Sequence, residues 1–304
     1  MKAAVYTKAR LGKVLEIKDL EAPVPKDNDV LIRVRAASVN PLDWRMKNHR
    51  PGVDVAGEVA AVGKTVTQFK PGDAVFGAGK GAFAEYACAA EAKLVRKPES
   101  VSFDQAAAVP VAGLTALQGL RDQGRLQPGQ KVLINGAAGG IGTFAVQIAK
   151  SFGANVTGVC STKNVELVRS LGADRVIDYT RDDFTQGSEH YDLVLDNVGN
   201  RALSAIARVL SPSGKCVMAG MPKKLGTVFA RLLQAFARSL LFRQKFTFFI
   251  ARMKRDDLTT LCELIEAGTL TPAIDRHYPL AETAGAIAYV EEGHARAKVI
   301  ITFQ

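Results

Sequence analysis

The chain has 304 residues, 47% hydrophobic and 23% charged, more than one ordinary core needs, which predicts two domains. Its net charge of +10 would suit a polyanion, but nine of the 40 Lys and Arg lie between Lys223 and Arg255 with no acid among them, leaving 31 against 30 Asp and Glu elsewhere. Basicity confined to one segment argues against a nucleic-acid surface, and no nucleic acid is expected as a partner. The cysteines Cys88, Cys160, Cys216 and Cys262 form no C-x-x-C and no Cys/His cluster, which argues against a disulfide framework or a zinc knuckle. Met1 to Leu20 lacks the apolar core of a signal peptide, and no stretch reaches the roughly 18 apolar residues of a membrane span. A cytoplasmic protein is expected.

Along the chain, Val30 to Ala37 alternates, and Gly57 to Val66, Asp73 to Phe76 and Lys80 to Ala89 are short β-like runs set off by Pro-Gly-Asp and Gly-Ala-Gly turns. They predict a small antiparallel, partly barrel-like β domain over 1–112. Phe103 to Arg121 has helical spacing interrupted at Pro110. Lys131 to Gly142 runs as strand, glycine turn and helix start, and further strands are expected at Asn155 to Cys160, Arg175 to Tyr179, Asp192 to Val198, Lys215 to Gly220 and Phe246 to Ala251. Helical segments between them, such as Asn164 to Leu171, predict an α/β fold with a doubly wound parallel Rossmann sheet over 113–252. Helices at Leu258 to Ala267 and Ala281 to Glu292 and a strand at Lys298 to Phe303 predict that the chain returns to the β-rich domain over 253–304.

The glycine turn carries the clearest chemistry. A helix beginning near Gly140 aims unpaired N–H groups and its positive dipole end at an anion, and a dinucleotide diphosphate fits there, at Ala138, Gly139, Gly140 and Ile141. On the G-x-G-x-x-G template the positions fall on Ala137, Gly139 and Gly142, so alanine replaces the first glycine. After the second strand comes Cys160-Ser161-Thr162-Lys163, with no acid before Glu166. A carboxylate there selects NAD, whereas the Ser161 hydroxyl and the Lys163 cation favour the 2′-phosphate of NADPH. The other reading is that Ser161 caps the next helix and Lys163 is solvated.

Six motifs, Ser38-Val39-Asn40-Pro41-Leu42-Asp43, Gly52-Val53-Asp54-Val55-Ala56-Gly57, Phe69-Lys70-Pro71-Gly72-Asp73, Gly81-Ala82-Phe83-Ala84-Glu85-Tyr86, Ala106-Ala107-Ala108-Val109-Pro110 and the glycine turn, carry a resemblance over nearly the whole chain. The sequence resembles the zinc-independent quinone oxidoreductases of the medium-chain dehydrogenase/reductase superfamily, and through Gly293-His294-Ala295-Arg296 the reticulon-interacting subgroup. The resemblance implies a GroES-like catalytic domain with the Rossmann sheet inserted in it. It nominates Tyr179 for the 2′-phosphate, Thr115, Asn197, Val198, Gly220 and Met221 for the nicotinamide end, and His294 and Arg296 for contacts from the C-terminal segment. These last two also read as helix-end cations. Ala297 stands where the subgroup has glycine.

The same comparison puts Asn40, Val53 and Val111 at the metal-ligand positions of zinc alcohol dehydrogenases, and two aliphatic side chains cannot hold zinc. No metal is expected, and the implied reaction is hydride transfer from NADPH to a quinone or an α,β-unsaturated carbonyl, whose conjugation spreads the incoming charge. Asn40 and Asp43 are the candidate catalytic residues: Asn40 to donate to a carbonyl, Asp43 to orient it or relay a proton through water. Their structural alternative is a turn in which Asn40 precedes a proline and Asp43 caps a short helix. The loop from Met46 to Pro51 is shorter than in the relatives. Leu225 to Leu241 reads as an amphipathic helix flanked by Arg231 and Arg238: a lid or dimer contact, or a peripheral membrane contact over 223–255. A homodimer paired through Phe246 to Ala251 is implied by the resemblance. A non-catalytic NADPH-binding sensor or scaffold is the competing function.

Overall fold

The computed structural model describes residues 1–9, 12–45, 49–219, 234–235, 243–293 and 295–303. The chain forms two compact units, one of Met1–Leu114 with Met253–Gln304 and one of Thr115–Arg252.

In the first unit, β1 (Lys2–Ala9) and β2 (Gly12–Asp19) make an antiparallel hairpin. This hairpin covers a segment for which no strand was expected from sequence. Then follow β3 (Asp29–Ser38), α1 (Pro41–Arg45), β4 (Asp54–Val62), β5 (Ala74–Ala78), β6 (Tyr86–Ala90) and β7 (Leu94–Arg96). In β3, Val30, Ile32 and Val34 are buried while Arg33 is exposed, as period-two alternation requires. Its last three residues, Ala36, Ala37 and Ser38, are all buried, so a polar side chain enters the interior there. Gly57 in β4 is needed because a Cβ would stand 2.1 Å from the Arg33 carbonyl oxygen. At the Pro-Gly-Asp turn Gly72 takes φ +91, and Asp73 accepts from the Lys70 N–H at 2.9 Å and pairs with Arg96 at 2.8 Å.

The expected single helix from Phe103 divides into α2 (Phe103–Ala108) and α3 (Pro110–Gln118). A capping box between Ser102 and Gln105 starts α2, and Pro110 takes the first position of the next helix, where its missing N–H costs nothing. A π-helical turn, Gly119–Gly124, continues α3 and ends at Arg125 in the left-handed region, φ 52.

The second unit is built on β8 (Lys131–Asn135), α4 (Gly140–Ser151), β9 (Asn155–Cys160), α5 (Val165–Ser170), β10 (Arg175–Asp178), β11 (Tyr191–Asp196), α6 (Leu203–Arg208), β12 (Leu210–Met218) and β13 (Lys245–Phe248). The six strands are parallel in the order β10-β9-β8-β11-β12-β13. The order therefore reverses between β8 and β11, which is where such sheets bind ligands. Both faces are covered, so β8 reads as the unbroken apolar run Val132-Leu133-Ile134, each fully buried. The fifth strand begins at Leu210, earlier than expected, and the sixth ends at Phe248. Most of the basic apolar stripe, including Leu225, Arg231 and Arg238, lies outside the described residues.

The chain then returns to the first unit through α7 (Arg255–Glu266), β14 (Ile274–Pro279), α8 (Thr283–Glu292) and β15 (Lys298–Thr302). Helix α7 buries Leu258, Leu261 and Ile265, its three- and four-residue stripe. The unit's larger sheet has seven strands, β14-β15-β3-β4-β5-β7 with β6 also on β3. Among the described residues its one parallel pair is β14 with β15. Pairing of β15 with Ala36 to Ser38 sets Lys298 close to the end of β3. Among the described residues no helix is long and apolar enough to cross a membrane.

Candidate active site

The glycine turn sits between β8 and α4. Gly136 takes φ +81, and the N–H groups of Gly136 and Ala137 both donate to the Val159 carbonyl, at 3.2 and 2.9 Å. The alanine in place of the first glycine is accommodated from across the sheet. A Cβ at Gly158 would lie 3.0 Å from Ala137 Cβ and 2.5 Å from Val168 Cγ1, so the glycine at 158 makes the room that an alanine at 137 needs. Gly142 admits no other residue, since its Cβ would meet the Gly136 carbonyl oxygen at 2.1 Å. Gly139 is the N-cap of α4 and no side chain caps the helix. The first N–H groups of the helix, at Gly140 and Ile141, thus remain for an anion.

Ser161 and Lys163 follow β9. Ser161 occupies a helix N-cap position, yet its side chain caps nothing; its Oγ accepts from Asn164 Nδ2 at 3.1 Å. Of the two readings of Ser161, capping by the hydroxyl is therefore not the one observed. Lys163 is exposed. The Tyr179 N–H donates to the Cys160 carbonyl at 3.0 Å, which sets Tyr179, half exposed, beside the same strand end. Sequence reasoning passed over Asp178, whose carboxylate accepts from Thr162 Oγ1 at 2.6 Å and from Thr180 Oγ1 at 2.8 Å. The Thr162 bond is the largest cause holding this carboxyl below its usual range.

At the end of β11, Asn135 Nδ2 donates to Asp196 Oδ1 at 2.8 Å and to Asn200 Oδ1 at 3.0 Å. Asp196 Oδ1 in turn accepts from the N–H groups of Val198 and Gly199. Asn135 thus orients the turn after β11. Both Oδ1 and Nδ2 of Asn197 are buried and have no partner among the described residues. A Cβ on Gly136 would meet Val198 Cγ2 at 2.7 Å and Asn197 Cβ at 3.7 Å, so the glycine turn and these two residues are neighbours. A helix start open to an anion, next to a buried amide lacking every partner, fits a dinucleotide. Thr115 is buried on α3. Gly220, Met221 and His294 lie outside the described residues.

The first unit holds the other candidates. Asn40 is the N-cap of α1 and Asp43 its third residue; Asp43 Oδ2 accepts from the Asn40 N–H at 2.7 Å and Oδ1 from the Gly52 N–H at 3.0 Å. Asp43 therefore pins the loop before β4 to the helix, and Gly52, at φ +101, cannot carry a Cβ there without striking Phe83 N at 2.5 Å. Burial, ahead of the repulsion from Asp54, pushes the Asp43 carboxyl up to about 7. Its wall position is on a cavity of about 490 Å³ that Leu42, Arg50, Val53, Lys80 and Met253 also line.

Asn40 differs from the expectation placed on it. Its Nδ2 donates to the Ser38 carbonyl at 3.2 Å and to Asp54 Oδ2 at 2.8 Å, while Oδ1 accepts from Lys298 Nζ at 2.7 Å. Both amide hydrogens are spent inside the protein, leaving none for a substrate carbonyl. Asp54 and Lys298, fully buried partners 3.6 Å apart, were not singled out from sequence. Asp54 also accepts from Ser38 Oγ at 2.7 Å and from the Val111 N–H at 3.0 Å. Burial raises the Asp54 carboxyl and lowers the Lys298 ammonium, and their mutual attraction opposes both shifts. The available signal was an acid inside an apolar motif, Gly52-Val53-Asp54-Val55, and a lysine opening an apolar strand.

Arg296 is exposed, with its N–H on Asp275 Oδ2 at 2.8 Å. Ala297, where glycine was expected, has φ 55, which explains why a glycine suits that position. Among the described residues no three His, Cys, Asp or Glu side chains are grouped to hold a metal ion.

Residues 26–99 match the alcohol dehydrogenase GroES-like domain, and residues 171–301 match the zinc-binding dehydrogenase family. A chloroplast envelope quinone oxidoreductase homolog of Arabidopsis thaliana is 34% identical over 94% of this chain and 93% of its own length. The chain belongs to the medium-chain dehydrogenase/reductase superfamily. The mitochondrial NAD(P)H oxidoreductase RTN4IP1 of Mus musculus is also 34% identical, over 90% of this chain and 81% of its own. The solved quinone oxidoreductase of Coxiella burnetii superposes with a TM-score of 0.85 at 30% identity, covering 100% of this chain and 99% of that one. The protein is thus an oxidoreductase enzyme.

Proposed function

We propose that the protein is an NADPH-dependent reductase that delivers a hydride, without a metal ion, to a quinone or another α,β-unsaturated carbonyl. The observation that carries this reading is the Asn197 amide, buried beside the glycine turn of a parallel sheet with neither hydrogen-bonding atom satisfied among the described residues. When bound, the cofactor supplies a hydride from its nicotinamide ring. Ala138, Gly139, Gly140 and Ile141 would hold its diphosphate, Ser161, Lys163 and Tyr179 the 2′-phosphate, and Thr115, Asn197 and Val198 the nicotinamide end; Arg296, and Gly220, Met221 and His294 outside the described residues, stay candidates by the resemblance alone. Preference for NADPH is supported by the hydroxyl of Ser161, which caps no helix, and by the exposed cation of Lys163.

Val53 and Val111 are aliphatic, which supports chemistry without zinc, and a conjugated acceptor needs no Lewis acid to carry the incoming charge. Asp43 is the acid for the proton that the reduced product takes up: it lines the cavity and its pKa of about 7 suits transfer near neutrality. Asn40 is a positioning residue, locked by Lys298 and Asp54. The relatives are named for activity, which favours an enzyme over a scaffold. Among the described residues strand β13 forms one edge of its sheet, which supports a homodimer paired along it, and four cysteines that form no disulfide suit a reducing compartment such as the cytoplasm.

Cofactor titration of the chelator-treated protein, followed by steady-state reduction of a benzoquinone and an enone, tests the reading. NADPH is expected to bind at least about tenfold tighter than NADH, a difference of about 1.4 kcal/mol. Equal binding of the two cofactors contradicts the NADPH assignment, and dependence of turnover on added zinc contradicts the metal-free one.

A further inference from the structure

The cavity beside Asp43 carries more positive charge than hydride transfer to a neutral quinone requires. Arg50, Lys80 and Lys93 all line it, and none of them has an ion pair among the described residues. Against these three cations the described lining holds one acid, Asp43. Arg50 is seated by a glycine: Gly81 has φ +68, and a Cβ there would stand 2.9 Å from Arg50 Cβ and 3.0 Å from Nε. The guanidinium spends Nη2 on the Tyr86 carbonyl at 3.4 Å, and its Nε is buried with no acceptor among the described residues. A buried charged donor left unmatched is destabilising unless a bound group satisfies it.

We propose that this cavity recognises a carboxylate on the tail of the substrate, with Arg50 as the principal donor and Lys80 and Lys93 drawing the anion to the mouth. This rests on the reductase reading only in taking the same conjugated carbonyl as ligand. The planar fork of Arg50 matches a carboxylate in a way a lysine does not, and the exposed lysines add a long-range attraction that salt screens. Val53 and Met253, on the apolar part of the wall, cover the carbon skeleton. The substrate is then an acidic quinone or enone rather than a fully apolar one.

The test uses a benzoquinone bearing a propanoic acid arm and its methyl ester, titrated calorimetrically into the protein loaded with NADP⁺ and then assayed for turnover with NADPH. The acid is expected to bind on the order of tenfold more tightly than the ester in low salt, with the preference shrinking as salt rises. Arg50→Gln should bring the acid-to-ester ratio close to one, and Lys80→Gln should reduce it severalfold while melting at the parent temperature. Should Arg50→Gln not fold, Lys80→Gln combined with Lys93→Gln must remove the salt-dependent part of the preference. A binding ratio near one in the unmodified protein, or a preference unchanged in these variants, overturns the carboxylate assignment. Absence of turnover with both compounds counts against the reductase reading instead, while the calorimetric ratio still decides the carboxylate.

Discussion

Lys298 Nζ lies 2.7 Å from Asn40 Oδ1 and 3.6 Å from Asp54 Oδ2, and all three side chains are removed from solvent. The last strand of the chain thereby locks the loop that follows β3, because Lys298 also donates to the Val39 carbonyl at 3.2 Å. Removing one partner strands a buried charge. Lys298→Met is expected to cost about 3–5 kcal/mol, and combining it with Asp54→Asn should recover most of that loss. Urea unfolding of the two single variants and the double variant measures the coupling. Additive losses would mean that the ion pair is not the link.

Asp43 gives the protein a pH signature. Its native carboxyl keeps a proton up to about pH 7, whereas the ordinary value is 3.8. Between those values the native state binds more protons than the unfolded one, so this group's contribution to stability falls as pH rises, by about 1.4 kcal/mol per pH unit. Below and above that window it adds no slope. Subtracting the curve of Asp43→Asn isolates the effect, and if Asp43 is the acid, turnover should also decline above about pH 7 in the parent alone. Parallel stability curves for parent and variant would contradict this.

Ala297 holds φ 55 without being glycine. A left-handed alanine costs about 1–2 kcal/mol, partly offset in the unfolded chain, so Ala297→Gly should stabilise by about 1 kcal/mol. Thermal unfolding decides it; a lower melting temperature would show that the strain is relieved otherwise.

Two substitutions probe the cofactor end separately. Gly142→Ala forces a Cβ to within 2.1 Å of the Gly136 carbonyl oxygen, and overpacking of this kind costs about 1–3 kcal/mol. It should weaken NADPH and NADH alike. Lys163→Glu should weaken NADPH alone, by about 1–3 kcal/mol, the scale of a lost charge-assisted hydrogen bond. Fluorescence titration of both cofactors reads the difference, and an equal loss for Lys163→Glu would remove Lys163 from the 2′-phosphate site.

Periodicity made most of the parallel sheet legible, since β8, β9 and β11 are short, largely apolar runs that are mostly buried and bounded by turn residues. The π turn at Gly119–Gly124 was not legible, because glycines at both its ends serve packing: a Cβ at Gly119 would stand 3.1 Å from Leu195 and one at Gly124 2.6 Å from Leu193. The hairpin β1–β2 escaped notice because its charged residues mask the alternation. At the candidate site, the glycine turn and Ser161 were readable from their places after strands, whereas Tyr179 and Asn197 came from the family resemblance. Asp54 and Lys298 were not, as a pair 244 residues apart in sequence is joined by strand register alone. The role expected of Asn40 changed for the same reason, its amide being taken by those two partners.

The most direct test of the account is the fate of the hydride. Chelator-treated protein would be given NADPH deuterated at the transferable position of the nicotinamide C4, together with an enone, and the product examined by mass spectrometry and NMR. The account predicts one deuterium at the β-carbon of the saturated ketone for each NADPH consumed, with a solvent proton at the α-carbon. Product without the label, or label transfer that appears only after zinc is restored, would contradict it.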